Sequence, residues 1–350
     1  MGNCVICIKC PTNSTAEFTP AAVFSHRPVD VVKPDDQPKV KLYGAPFGND
    51  TYYIRFALMY KPVSVDFVAS DGHEVPAIEY NSDVVSGSVE NLVRYLDATF
   101  PEPRLLLAGG RWHGEMPPSV ACVVTLQHRS MIWHLERMVK WAEELAARGG
   151  KARGNPAACT PRMEIKKFGK RYSMLMEVML EHAQMEEKNV FPILEKADRG
   201  LCKFANANHA MDLPVMNGIQ EDIKSIVVLD PKKPIYREAI SNLSKRLKTF
   251  KEDSRQHFGE EEKKLLPLLS EAAELGKMKQ ARFVGQCLDS MQGTHSRLFR
   301  FFMEGFLPAD AMQYLNIIAK CSDKERVSRL FRLIVEKENS LGWAIGNPLA

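Results

Sequence analysis

One phrase occurs twice in this chain. His182-Ala183-Gln184-Met185-Glu186-Glu187-Lys188 runs on to Pro192 and Leu194, and His257-Phe258-Gly259-Glu260-Glu261-Glu262-Lys263 runs on to Pro267 and Leu269. Both read H-x-x-x-E-E-K-x-x-x-P-x-L with equal gaps. On a helix, residues four apart share a face, about 6 Å along the axis. Each phrase therefore sets an imidazole beside a carboxylate. Two such pairs facing across a helix bundle form half the wall of a metal site. A single copy is equally an ordinary surface pair. Met179, Phe191 and Leu194 point to inward faces, where an unpaired carboxylate costs several kcal/mol unless a cation compensates.

Four helices are needed to position these groups. Residues 119–148 read as one long helix with Val123, Leu126, Ile132, Leu135, Met138 and Leu145 apolar and Ser119 as N-cap. Gly149 and Gly150 end it. A second helix starts near Pro161 and carries the first phrase. A third runs over 201–228, and Pro214 within it is expected to kink it. A fourth begins at Ile235 and carries the second phrase. Of the nine histidines, His128, His182, His209 and His257 fall one to a helix, with Glu186 and Glu261 beside two of them. A carboxylate can bridge two ions, and mixed nitrogen and oxygen ligation suits iron, manganese or zinc.

Other histidines read as structural. His134, six residues past His128, points elsewhere. His295 lies outside the bundle proper, and His26, His73 and His113 lie in loops. Met174, Met176, Met179 and Met185 read as core filler. The run Glu260-Glu261-Glu262-Lys263-Lys264 reads as a solvated face with Glu261 the exception.

Over residues 118–270 this constellation resembles the hemerythrin-like, or HHE cation-binding, family. His128 fits its first-helix histidine, His182 and Glu186 the second-helix pair, His209 the third and His257 with Glu261 the fourth. The resemblance implies a non-heme di-iron centre with an oxo or hydroxo bridge, Glu186 and Glu261 bridging the irons, and dioxygen as a possible ligand. The oxygen-carrying members use a second third-helix histidine; Leu213 stands at that position.

Residues 38–107 show a different pattern. Lys39 to Gly44 alternates as a strand, Thr51 to Tyr60 has helical periodicity, and Val63 to Val68 reads as a second strand. Pro76 to Tyr80 and Val84-Val85 suggest a hairpin, and a helix follows Ser88. The order resembles the thioredoxin-like N-terminal domain of glutathione transferases, on Lys41-Leu42-Tyr43-Gly44, Arg55, Ala57-Leu58, Val75-Pro76, Ser88 and Tyr95-Leu96. That resemblance implies a cis Pro76 and a glutathione contact at Ser88. Ala45-Pro46-Phe47-Gly48 replaces the catalytic Ser or Cys, so no thiol chemistry is expected there.

The chain opens Met1-Gly2-Asn3-Cys4. Gly2 has the acceptor geometry for myristoylation and Cys4 could take palmitate, although Ile6 replaces the usual Ser or Thr. A metal or iron–sulfur site at Cys4, Cys7 and Cys10, or a free tail, are the alternatives. Residues 11–37 read as a linker. Toward the other end, 277–304, 310–320 and 324–338 read as helices with a large apolar surface.

The 350 residues suffice for two or three domains, and 45% hydrophobic and 26% charged residues are ordinary for a soluble protein. A net charge of +4 gives no case for nucleic-acid binding. The eight cysteines form no disulfide framework, which favours a reducing, cytoplasmic setting. The expected fold class is a multidomain α+β chain. Residues 1–37 form a tail, 38–107 a small thioredoxin-like α/β domain, 118–275 an all-α hemerythrin-like four-helix bundle, and 276–350 extra C-terminal helices. The expected function is iron binding, in iron or oxygen handling or sensing, without a catalytic residue. The alternatives are a glutathione-binding transferase-like protein, or a metal-free scaffold held at a membrane by its N-terminal lipid with an unknown protein partner.

Overall fold

Strand β1 (Lys39–Gly44) buries Val40 and Leu42 and turns its lysines outward, the alternation its sequence shows. Helix α1 (Asn49–Met59) carries the chain over to β2 (Ser64–Ala69), which lies parallel to β1 from Lys39 opposite Ser64 onward. Strand β3 (Ala77–Tyr80) returns antiparallel to β1 and pairs with β4 (Asp83–Ser86). The sheet order is β2-β1-β3-β4. Asn81 and Ser82 both take positive φ, which closes the β3–β4 hairpin in two residues. Helix α2 (Val89–Thr99) begins at Ser88, whose Oγ accepts from Asn91 N at 3.3 Å. Leu42, Ile54, Phe56, Ile78, Leu92 and Leu96 fill the space between sheet and helices. The cis proline bond among the described residues is Glu102–Pro103, not Val75–Pro76. This computed structural model describes residues 37–70, 75–151, 160–271 and 277–335. Gly2 and Cys4, with the acyl sites read there, lie outside them.

Four long helices follow. They are α3 (Val120–Arg148), α4 (Pro161–Met185), α6 (Lys203–Val228) and α7 (Pro234–Lys264), with the short α5 (Phe191–Ala197) between α4 and α6. Helix α3 packs on α4 and α7, and α6 on α4 and α7, so the four close into a ring. Their starts follow from sequence. Thr160 caps α4, its Oγ1 accepting from Met163 N at 3.2 Å, while Pro161 and Pro234 stand in first turns where no N–H is needed. Ser119 is the N-cap position of α3 but makes no side-chain capping bond. Gly149 ends α3 at φ 54°, a left-handed conformation that costs glycine little. Helix α6 runs unbroken through Pro214.

Both copies of the phrase meet the same obstacle, a proline that cannot donate to the carbonyl four residues back. Before Pro192 the chain widens into a π turn over Glu186–Val190. Before Pro267 it breaks at Leu265 and resumes as α8 (Leu266–Glu271).

The C-terminal region holds α9 (Lys277–Ser290), α10 (Phe299–Met303), α11 (Pro308–Cys321) and α12 (Lys324–Val335). The single helix expected over 277–304 is interrupted after Ser290. Glu181 of α4 takes the amides of Gly293 and Thr294 and the Thr294 hydroxyl at 2.7–2.8 Å, pinning a turn there. A Cβ on Gly293 would lie 2.6 Å from Glu177 Oε1 and 2.8 Å from Glu181 Oε1, so a larger residue there would push these carboxylate ends aside. Helices α10 and α11 pack on α3, and α12 packs on α1, where Phe331 lies against Tyr52 and Tyr53. The Tyr53 hydroxyl donates to Met312 O at 2.9 Å. The C-terminal helices thus join the sheet to the bundle. Among the described residues no helix is long and apolar enough to cross a membrane.

Candidate metal centre

The bundle brings His128, His182, Glu186, His209, His257 and Glu261 to one place. Their imidazole Nε2 atoms face the two carboxylates. His182 Nε2 lies 3.3 Å from Glu186 Oε2, and His257 Nε2 lies 3.1 Å from Glu261 Oε1, as one helical turn dictates. Across helices, His128 Nε2 lies 3.4 Å from Glu261 Oε2, and His209 Nε2 lies 3.5 Å from Glu186 Oε2. Each carboxylate therefore has histidines from both halves of the bundle within reach. The donor atoms fall into two sets that overlap at Glu261: His128, His182, Glu186 and Glu261, and His209, His257 and Glu261.

The outward nitrogen of every imidazole is held. His128 Nδ1 meets Glu262 Oε1 at 3.0 Å, His182 Nδ1 meets Gln127 Oε1 at 2.8 Å, His209 Nδ1 meets Glu187 Oε1 at 2.9 Å, and His257 Nδ1 meets Asp212 Oδ2 at 3.2 Å. Each partner accepts, so each Nδ1 carries a proton and each Nε2 is the nitrogen turned inward, where a cation can take the place of a second proton. His128 Nε2 and His182 Nε2 then face each other at 3.1 Å. Two lone pairs at that distance repel unless a proton or a cation lies between them. Donors about 2.1 Å from one ion at right angles stand about 3 Å apart, which fits these separations.

The second glutamate of each phrase is explained here. Glu187 holds the histidine of α6 and Glu262 that of α3, so the phrase supplies one inward carboxylate and one that orients a neighbouring helix's ring. Sequence reading placed Glu262 on a solvated face and missed Glu187, Gln127 and Asp212. The doubled Glu, present in both copies, is the signal that could have found two of the four.

Behind His182 the network continues. Gln127 Nε2 donates to the Tyr314 hydroxyl at 3.2 Å, and Tyr314 donates to His295 Nε2 at 2.8 Å, whose Nδ1 donates to Met291 O. His295, read as structural and outside the bundle proper, thus buttresses the site at two removes. His134 points away from the site and bonds Phe301 O at 2.8 Å, and His113 donates to the Tyr53 hydroxyl. Ser88 serves as the exposed N-cap of α2, on a separate element from the cluster.

The charges are poorly matched without a cation. Glu186 Oε2 and Glu261 Oε2 are buried and have no hydrogen-bond partner. Burial, and next the Glu261 charge, push the Glu186 carboxyl above its usual range. Burial acts on Glu261 too, but the His257 hydrogen bond and neighbouring imidazoles outweigh it and hold that carboxyl low. Burial and the other three imidazoles keep His182 well below its ordinary value. Burial opposes charge on His257, yet hydrogen bonds to Asp212 and Glu261 overcome it and raise the imidazole to about 10. An incoming cation would displace that proton. The buried, unpartnered carboxylate oxygens and the inward imidazoles fit a transition metal.

A cavity of about 250 Å³ opens beside this centre, walled in part by His209, His257, Asp212, Glu187 and Leu213.

Residues 123–269, the stretch that carries all six inward groups, match the family model of the hemerythrin HHE cation binding domain. No match was found among curated proteins or solved structures. The similarity supports metal-ion binding by this bundle.

Proposed function

We propose that the bundle binds two transition-metal ions, iron foremost and manganese or zinc less favoured, and that the protein handles or senses iron or oxygen. His128 and His182 would hold one ion, His209 and His257 the other, and Glu186 and Glu261 would be shared. The observation that carries this reading is the set of four imidazoles, each bonded outward through Nδ1, converging on two buried carboxylates with unpartnered oxygens. Mixed nitrogen and oxygen ligation suits iron, manganese and zinc rather than calcium or magnesium. A bound iron pair supplies Lewis acidity and one-electron redox chemistry, with dioxygen as its natural small ligand. The chain's own residues fix the ring orientations and offset part of the ions' charge. We assign no catalytic residue.

Iron-edge X-ray absorption on the loaded protein tests the reading. A shell of nitrogen and oxygen neighbours with a second metal about 3.5 Å away is expected. A sulfur shell at about 2.3 Å would contradict it and move the metal to cysteine ligands.

For residues 38–107 we infer a thioredoxin-like unit without the chemistry. Its support is the sheet order β2-β1-β3-β4, with parallel β1 and β2 joined through α1 and an antiparallel hairpin leading to α2. Ala45, Pro46 and Phe47 bring no sulfur to the start of α1. Glutathione binding at Ser88 remains the competing proposal, and retention on a glutathione column would favour it. Acylation at Gly2 and Cys4, with peripheral membrane association of an otherwise cytoplasmic protein, is proposed from sequence alone. Intact-mass measurement of the protein from its native host tests it.

A further inference from the structure

Resting on the metal-binding reading above, we propose that the two halves of the centre hold their ions unequally. The ion held by His209 and His257 exchanges with solvent through the cavity along α6. The ion held by His128 and His182 is locked in.

The halves differ in cover. On the closed side, Phe258 lies flat on the His128 ring, centroids 4.2 Å apart and planes 6° from parallel. Behind His182 stand Gln127, Tyr314 and His295, all buried and bonded in series. On the other side Phe191 stacks on the His209 ring at a longer 5.6 Å, and the stretch of α6 that carries the ring is thinly covered. None of residues 206–215 of α6 is fully buried, and this stretch carries both His209 and Asp212. Pro214 has no N–H, so the Ala210 carbonyl receives no helical bond from that position. A segment with few buried residues and a missing bond is the kind that opens at low cost.

The cavity lies against this segment. His209 and His257 contribute to its wall, Leu213 stands at its margin with 43% of its surface exposed, and His182 is the one histidine of the closed set that reaches it. Glu187 and Asp212 also line it, placing carboxylates along the approach. Carboxylates along a cleft raise the local concentration of cations. A divalent cation is therefore drawn in on the side where the cover is thinner.

The test uses the full chain loaded anaerobically with ferrous iron and chased with excess bipyridyl, the coloured chelate reporting release. Two phases of equal amplitude are expected, separated in rate by at least about tenfold. His209→Ala should abolish the fast phase and His128→Ala should abolish or accelerate the slow one. Leu213→Trp, filling the cavity margin, should slow the fast phase alone. Asp212→Asn provides a second variant on the same path and should slow iron uptake into the fast site. Release in a single phase, or slowing of both phases by Leu213→Trp, overturns the proposal while leaving metal binding intact. If one ion binds, its retention in His209→Ala and loss in His128→Ala supports the inequality, and the reverse overturns it. Absence of bound iron altogether removes the metal-binding reading and this proposal with it.

Discussion

Lys61 and the centre of the bundle both bury ionisable groups, and they dispose of them in opposite ways. The Lys61 ammonium has three donors and three acceptors: Asp97 Oδ1 at 2.7 Å, Phe100 O at 2.6 Å and Pro103 O at 2.7 Å. Asp97 in turn accepts from Leu105 N and Leu106 N, both at 2.9 Å. Every polar atom there is answered by the chain itself. In the bundle, four imidazoles and two carboxylates converge, and two carboxylate oxygens are left unanswered. A structural buried charge is complete, whereas a binding site is incomplete in a way that specifies its ligand. Here the missing group is positive, compact and able to accept nitrogen and oxygen donors at once.

Four perturbations sharpen that contrast. The largest effect is expected from Lys61→Met, which strands Asp97 and two carbonyls. Breaking a buried pair costs about 3–5 kcal/mol, read as a shift in the urea midpoint, and metal content should not change. A loss of metal in this variant would erase the distinction between the two regions. Next, Gln127→Leu and Glu262→Leu each free the outward nitrogen of one ring while keeping all six inward groups. Metal affinity should fall by about 10–100-fold in each, measured by competition with a chelator, with helicity unchanged.

A smaller effect separates the regions by pH in the metal-free protein. His257 is raised in the folded state to about 10, so its contribution is full below its ordinary value of 6.5 and is lost as pH rises through about 10. His113 and His295, buried and neutral, are lowered to about 4 chiefly by burial. Their contribution is full above 6.5 and is lost as pH falls toward about 4. Stability against urea should therefore decline on both sides of neutrality. Metal loading should abolish the alkaline decline alone, because a bound ion leaves His257 deprotonated at every pH above neutral. An alkaline decline of equal size in loaded protein would show that His257 does not meet the metal. The smallest effect is Ser88→Ala, where loss of the α2 cap should cost about 1 kcal/mol with no change in metal binding.

Much of the bundle was legible because its helices are long and their signals local. Pro161, Gly149 and Pro234 mark ends within a residue or two of where α3, α4 and α7 start or stop. The six inward groups were legible because a repeated i,i+4 spacing is itself geometric. The groups that orient them were not. Gln127 holds His182 across 55 positions and Asp212 holds His257 across 45, and no local spacing encodes such pairs. The break after Ser290 was hidden for the same reason, since it is Glu181 on α4 that claims the amides of Gly293 and Thr294. His295 was read as remote because its link to the centre passes through Tyr314 and Gln127, residues with no chemical signature of their own.

The central claim is that these six side chains exist to hold metal. Elemental analysis of the purified full-length chain, beside a His182→Ala, His257→Ala double variant matched in circular dichroism, tests it most directly. About two transition-metal ions per chain are expected in the parent, and close to none in the variant. Less than about half an equivalent in the parent, or equal metal in both, would contradict it.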